Sequence, residues 1–536
     1  MHMNRIFIYF GLIGLLCACV SNRYDAKTID WSDIDTGPTT NSPLDLYGRP
    51  SDGYGTDISD DTSHNIAVLL PLSGQNAPVG ETIRASVMAA VLSNAPSNLS
   101  VSFFDTNSDD IKATFNQALE TSPSVIIGPV FADNARTIRD IKPNDLPVLS
   151  FTSDASALGN GVITMALMPT NGVEATLREM SADKIKNFII FAPDTQSGHL
   201  MAGAAKSASD TYNINLGGVY FYQESNTDSI KETAKSASLN DARTAAHTRA
   251  RIVLSDILTN EQLNILEKSN LNNQLEKLSK TETVGTIPYD GILFLGNGGD
   301  TQTLVSFLRY YNVSANDARM YGTTMWDGSN LASDITMSGA KFATLPQTKT
   351  DFNTLYEQIS GTTGNRLASF GYDATNIAIG MIYSSTTPTA YLFNPSGYIG
   401  TDGLFKIKPT GDNERALRIL QLNASGTPIE IKPAAQTFIQ PLYTTSPQDI
   451  EPIESYDIET TGIDPDDYIQ IPERFKSKYS SHTIGTNTKK SPTIQRSQII
   501  AFLPEDDSES IKNDNFKPIK SDTVKRSLIE EYEIEE

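Results

Sequence analysis

Short unbroken apolar runs alternate along this chain with stretches whose apolar residues recur at helical spacing. The run Ile66 to Leu70, ended by Pro71 and Gly74, has the length and closure of a strand buried on both faces. The polar turn Ser73, Gly74, Gln75, Asn76 follows. Val79 to Leu92 then runs at helical spacing, with Glu81 in its first turn. Strand, polar turn and helix form the first half of a βαβ unit. In open parallel sheets ligands bind beyond the carboxyl ends of the strands, so this turn lies where a ligand would sit.

The pattern repeats. Leu99 to Asp105, Ser124 to Pro129 and Leu146 to Thr152 read as strands, with helices over Ile111 to Leu119 and Ala132 to Ile141. Such alternation predicts an α/β fold with a parallel sheet. Its polar or glycine-bearing strand ends would gather along one edge. They make Gly128, Pro129, Ser150, Thr152, Ser153 and Asp154 candidates for a cleft. A second series opens with the buried strand Asn187 to Asp194, whose turn adds Thr195 and Ser197. Strands at Gly217 to Tyr222, Tyr289 to Gly296 and Met320 to Thr324 follow. Helices are predicted over Leu200 to Asn213, Leu304 to Tyr311, Phe352 to Ser360 and Arg366 to about Tyr383. Gly397 to Ile407 alternates as a hairpin, and Ala416 to Leu422 reads as a last strand. Between the strands, residues 241–278 form one long amphipathic helical stretch, an exposed insertion.

The amino terminus changes the cellular setting. Arg5 precedes the apolar segment Ile6 to Leu16, which is too short to span a bilayer but suits a signal-peptide core. Leu16-Cys17-Ala18-Cys19 resembles a bacterial lipobox. The resemblance implies cleavage after residue 18, acylation of Cys19 and a membrane anchor through that lipid. Val20 in place of Asp favours the outer membrane of a Gram-negative cell. Both cysteines lie here, so the mature chain has no intramolecular disulfide and depends on a large core. Residues 19–63 read as a disordered tether and residues 446–536 as an acidic, mostly disordered tail. Within that tail, Ile469 to Ile471 and Ile499 to Leu503 are short apolar pieces able to dock on a partner as strands.

Ile66-Ala-Val-Leu-Leu-Pro-Leu-Ser-Gly74, Ile126-Ile-Gly-Pro129 and Pro147-Val-Leu-Ser150 together resemble the periplasmic binding-protein type 1 family, typified by branched-chain amino-acid-binding proteins. That implies two Rossmann-like lobes with parallel sheets, joined by three crossovers. Lobe 1 is then expected at about 64–170 and 325–395, and lobe 2 at about 171–324 and 396–445. Later motifs match one branch. Thr283 to Gly291, Met325-Trp-Asp327, Arg366-Leu-Ala-Ser-Phe-Gly-Tyr-Asp373 and Ser396 to Phe405 resemble the penicillin-binding-protein activator lipoproteins. What that branch implies is a non-catalytic envelope lipoprotein whose partner is a bifunctional penicillin-binding protein, a peptidoglycan synthase.

The alternative is a receptor that feeds an amino acid or similar small polar ligand to an ABC transporter. Amino-acid-binding relatives place a serine four residues after the glycine of the Gly-Pro turn, where this chain has Ala132. They place a threonine where it has Asp154, and Tyr-Gly where it has Ser197-Gly198. The donors for a carboxylate are thus depleted, and Asp154 would repel one. No cofactor is expected. The five histidines are scattered, without HExxH or paired CxxC spacing, and no Gly-x-Ser-x-Gly elbow occurs. Asn297-Gly-Gly-Asp300 lacks the spacing of a phosphate loop and reads as a strand-end turn. The formal net charge of −22 disfavours nucleic acid, whose binding rests on neutralising phosphates.

Overall fold

The structure, a computed structural model, describes residues 42–46, 63–107, 110–384, 386–425, 427–458, 463 and 468–479. The expected signal segment, Cys19, most of the tether and Ile499 to Leu503 lie outside the described residues.

The chain runs β1 (Leu44–Asp45), β2 (His64–Leu70), α1 (Ala77–Asn94), β3 (Leu99–Asp105), α2 (Ile111–Glu120), β4 (Val125–Ile127), α3 (Ala132–Ile141), β5 (Val148–Ser150) and β6 (Val162–Thr164). Strands β2 to β6 form a parallel sheet in the order β3-β2-β4-β5-β6. From Asn65 to Leu70 every residue of β2 is buried, as its unbroken apolar run requires.

Helix α4 (Pro169–Ala182) carries the chain to β7 (Asn187–Pro193), α5 (Gln196–Tyr212), β8 (Asn215–Tyr222) and α6 (Thr227–Ala237). Helices α7 (Asn240–Leu258) and α8 (Ile265–Ser279) make the insertion. Then come β9 (Gly291–Phe294), α9 (Gly298–Tyr310), β10 (Arg319–Gly322) and β11 (Lys341–Thr344). The chain returns to the first lobe with α10 (Thr350–Ser360) and α11 (Arg366–Tyr383), both packed on α1. After α12 (Pro388–Leu392), β12 (Tyr398–Gly400), β13 (Gly403–Ile407) and β14 (Asn413–Arg415) form a small separate sheet with β1. Finally β15 (Arg418–Gln421) and β16 (Ile429–Lys432) add to the second sheet, whose order is β16-β15-β11-β10-β9-β7-β8. The two-lobed α/β architecture with three passages between lobes is therefore present. The second sheet is mixed, because β15 and β16 join antiparallel.

The expected lobe limits shift in two places. Strand β11 lies past residue 325 yet belongs to the second sheet, so the handover comes after Thr344. Residues 398–415 fall within the span expected for lobe 2. They form their own sheet instead, and Tyr398, Phe405 and Ile407 join the apolar cluster of the first lobe. The insertion is two helices. Asn264 stops a continuous helix by capping α8, accepting from Glu267 N while the Glu267 carboxylate accepts from Asn264 N. Arg243 on α7 ties the pair to the lobe, donating to the carbonyls of Gly285 and Tyr311.

The carboxyl-terminal segment departs most from expectation. Residues 446–458 lie ordered on the second lobe. Ile469 is buried, and Gln470 exchanges hydrogen bonds with Gln274 of α8, so this apolar piece is docked within the chain. A last helix, α13 (Glu473–Tyr479), begins there, with Arg474 on Glu267 at 2.7 Å.

One joint recurs in both lobes. A Cβ on Gly80 would stand 2.0 Å from the Pro71 carbonyl, and one on Gly198 would stand 2.0 Å from the Pro193 carbonyl. In each lobe a proline at the end of the first strand, or just past it, meets the first turns of the next helix. Backbone cannot yield as a flexible side chain can. Gly80→Ala is therefore expected to destabilise by about 1–3 kcal/mol, although alanine returns up to about 1 kcal/mol of helix propensity. A lowered denaturant midpoint in the full chain is the check.

Candidate functional site

The predicted cleft residues divide into three groups. Ser73, Gly74, Gln75 and Asn76 form the exposed turn before α1, where Asn107 donates to the Ser73 hydroxyl at 3.2 Å. Gly128, Pro129, Ser150 and Thr152 are turned inward. A Cβ on Gly128 would lie 2.1 Å from the Leu69 carbonyl, and its φ of +93° suits glycine. Ser150 is fully buried and donates to the Pro129 carbonyl at 2.8 Å, while the Thr152 hydroxyl accepts from Asp154 N. These groups are buried and hold strand ends together. Thr195 caps α5, accepting from Gly198 N.

Only Ser153, Asp154 and Ser197 come together, around a cavity of about 200 Å³. Gln196, Leu200 and Met201 of α5 line it opposite Met168 to Thr170, and Pro447 and Ile450 of the carboxyl-terminal segment form another wall. Sites for small molecules typically hold roughly 300–1,000 Å³. The cavity is thus narrowed by the chain's own segment. Asp154 is the one charged side chain among its lining residues. Burial would raise its pKa, but hydrogen bonds from Ser156 and from Arg136, 2.7 Å away, hold it below the ordinary carboxylate range. Its charge is already paired, and no cation among the described lining residues is offered to a ligand carboxylate.

A denser constellation lies where the lobes join. Helix α11 presents Arg366, Ser369 and Asp373 at intervals of three and four residues, so they share one face. The hairpin of β12 and β13 supplies Thr401 and Asp402 between its strands. Asp402 is buried and accepts from Arg366 at 2.7 Å, from Thr348 at 2.6 Å, and from Ser369. Asp373, fully buried, accepts from Thr401 N at 3.0 Å. A Cβ on Gly400 would lie 2.3 Å from Asp373 Oδ2, so glycine is needed for this approach. Arg366 also reaches Asp327 of the second lobe at 3.2 Å and the carbonyls of Leu345 and Pro346. Arg415 of β14 is buried between the rings of Phe370 and Phe405, 4.6 and 4.5 Å from their centroids, and donates to the Met165 carbonyl. One helix face thereby grips the hairpin, the passage leaving β11 and a loop of the opposite lobe. A groove of about 600 Å³ runs beside it, lined by Asp327, Thr348, Arg366 and Arg418. Both arginines are engaged there, Arg418 by the Leu345 carbonyl and Glu430.

The family model described as "LppC putative lipoprotein" matches residues 57–381. The chain belongs to the LppC family. Among curated relatives, "Penicillin-binding protein activator LpoA" of Pasteurella multocida (strain Pm70) is 26% identical over 200 residues, 35% of this chain and 34% of that protein. The same-named protein of Histophilus somni (strain 129Pt) is 26% identical over 146 residues, 27% and 25% of the two chains. The match to this LppC chain thus spans about a third or less of these relatives. Among solved structures, the one described as "a putative branched-chain amino acid ABC transporter from Rhodospirillum rubrum" has a TM-score of 0.51 at 15% identity, covering 69% of this chain and all of that one. It shares the two-lobed fold. The "LpoA (YraM) C-domain from Haemophilus influenzae, a regulator of PBP1A" has a TM-score of 0.47 at 16% identity, covering 68% and 99%.

Sequence reasoning singled out the segments of this junction but not its chemistry. Three quoted motifs, Met325 to Asp327, Arg366 to Asp373 and Ser396 to Phe405, converge on it. Arg415 and Thr348 carried no signal, because a lone arginine or threonine in sequence says nothing of what surrounds it. The three-and-four spacing of Arg366, Ser369 and Asp373 on a predicted helix was the available clue.

Two outcomes are expected of the LppC chain. Arg366→Leu leaves the Asp402 charge buried without its cation and is expected to cost about 3–5 kcal/mol. Adding Asp402→Asn should recover part of that, since the two side chains act as one unit; urea melts of the single and double variants test the coupling. Burial pushes the Asp373 carboxyl up to about 7, with Arg415 opposing and Asp402 adding. The folded state then binds this proton more tightly than the unfolded state, so its contribution to stability falls as pH rises from about 4 to about 7. Asp373→Asn should flatten the dependence of Tm on pH across that window.

Proposed function

We propose that this chain is a lipid-anchored envelope protein that binds a bifunctional peptidoglycan synthase and raises its activity without catalysing a step itself. The observation that carries this reading is the 26% match over 200 residues to a protein named as a penicillin-binding protein activator, within a family described as lipoproteins. The geometry supports it. The cavity that a solute receptor would use is reduced to about 200 Å³ by residues of the same chain, and its single charged lining residue is paired. The lipid would sit on Cys19, in the outer membrane, leaving the two lobes to meet the synthase by surface contact. No helix of the described residues is long and apolar enough to cross a membrane.

The test uses the chain from residue 20 onward, purified with a cognate bifunctional synthase. Co-purification of the two and a rise in glycan polymerisation or crosslinking are the expected result. Absence of both would sink the proposal. A rise in Tm with an amino acid and no effect on the synthase would favour the receptor instead.

A further inference from the structure

Residues 444–458 cross the second lobe as a continuous strap. Thr444 and Thr445 donate to the buried Glu174 carboxylate of α4, at 2.7 and 3.0 Å through their backbone N–H groups. Pro447 and Ile450 wall the cavity between lobes. The Glu451 carbonyl lies where a Cβ on Gly203 of α5 would stand, 2.0 Å away. Tyr456 pairs with Val219 through two backbone hydrogen bonds of 2.9 and 3.1 Å. Ile458 N donates to Tyr220 and Ser236 donates to Asp457. Strand β8 is the last of its sheet, so the strap covers an edge that otherwise adds strands from other chains.

The middle of the strap is pinned by one side chain. His199 Nδ1 lies 2.8 Å from the Ile453 carbonyl, and Nε2 lies 2.8 Å from Asp194 Oδ1. Both partners are acceptors without a hydrogen of their own. A neutral imidazole carries one N–H and can satisfy one of them, whereas the imidazolium satisfies both. The ring is stacked on Phe221 of β8 at 3.9 Å. Facing it are Asp194 from the end of β7 and Glu454 from the strap, both anionic. On its own helix the nearby cation Lys206 is paired with Asp210.

We propose that residues 446–458 are a proton-gated strap, held on α5 and the β8 edge by the His199 imidazolium and released when that proton leaves. Burial alone would lower the pKa of His199, but the hydrogen bonds to Asp194 and to the Ile453 carbonyl outweigh it and raise the value above ordinary. A group so raised holds the strap fully below its free pKa of about 6.5 and loses that hold as pH rises through the raised value. Release exposes the edge of β8 and the cavity between lobes together. This inference stands independently of the activator reading.

Hydrogen exchange of peptides from 446–458 and 215–222, corrected for the intrinsic pH dependence of exchange, tests it between pH 6 and pH 8.5. Protection of both segments should fall by roughly threefold or more over that range, while β9 and β10 stay unchanged. His199→Gln should exchange at one rate throughout, and Gly203→Val, which pushes on the Glu451 carbonyl, should exchange fast at every pH. Nitrogen NMR of the wild-type ring should find both nitrogens protonated at pH 6. Flat protection in the wild type, an equal fall in His199→Gln, or a neutral ring at pH 6 would each overturn the proposal.

Discussion

A carboxylate buried without a cation is among the costliest groups a fold can contain, and Asp402 is tolerable only because Arg366 reaches it. That requirement couples distant parts of the chain. Arg366 stands at the start of α11, which packs on α1 in the first lobe, and Asp402 turns a hairpin of a separate small sheet. The same guanidinium holds the carbonyls of the passage leaving β11 and the Asp327 carboxylate beyond β10. Five donors on one rigid fork suit this work as a lysine could not. Arg415 repeats the logic from below, with two phenyl faces and the Met165 carbonyl in place of a directly bonded carboxylate.

The cleft residues and the strap follow from a second constraint. In each lobe the first strand ends against a glycine of the following helix, which fixes where the strand-end turns emerge. In the first lobe Gly128 N donates to the Leu149 carbonyl, Ser150 donates to the Pro129 carbonyl and accepts from Thr152 N, and the Thr152 hydroxyl accepts from Asp154 N. The donor-lined ends that could have cradled a solute are thereby internal supports. The strap then fills part of the remaining space with Pro447 and Ile450, which bring apolar surface and no charge.

Periodicity made the two series of strands and helices legible, since buried parallel strands are unbroken apolar runs with clear ends. Strands β11, β14 and β16 were harder. Each has four residues or fewer and a charged residue among them, and each is a strand only because a neighbour pairs with it. The strap illustrates the same limit. Composition marks 446–458 as solvated, yet Ile450, Ile453 and Ile458 spaced among acids suffice to pack on a lobe already built. Low hydrophobicity argues against an independent core, not against docking on an existing one. Of the candidate site, the spacing found Ser153, Asp154 and Ser197, while Arg136, His199 and Arg415 became significant only through what folding places beside them.

These contacts bear on how such a two-lobed body can act. Hinge closure needs two arrangements of similar free energy. Here opening the junction would separate Arg366 from Asp327, a partly exposed pair, while α11 and the hairpin would move together with Asp402, Asp373 and Arg415 held between them. A partly exposed ion pair is worth at most about 1 kcal/mol, so the pair of Arg366 and Asp327 adds only a small bias against opening, while the buried charges fix the first lobe internally. Binding a solute in the narrowed cavity would have few free hydrogen-bonding groups to draw on. Contact with another protein makes no such demand, because a surface held in one shape by its own buried charges is already organised for a partner. The buried charges therefore support a first lobe whose surface is held in one shape.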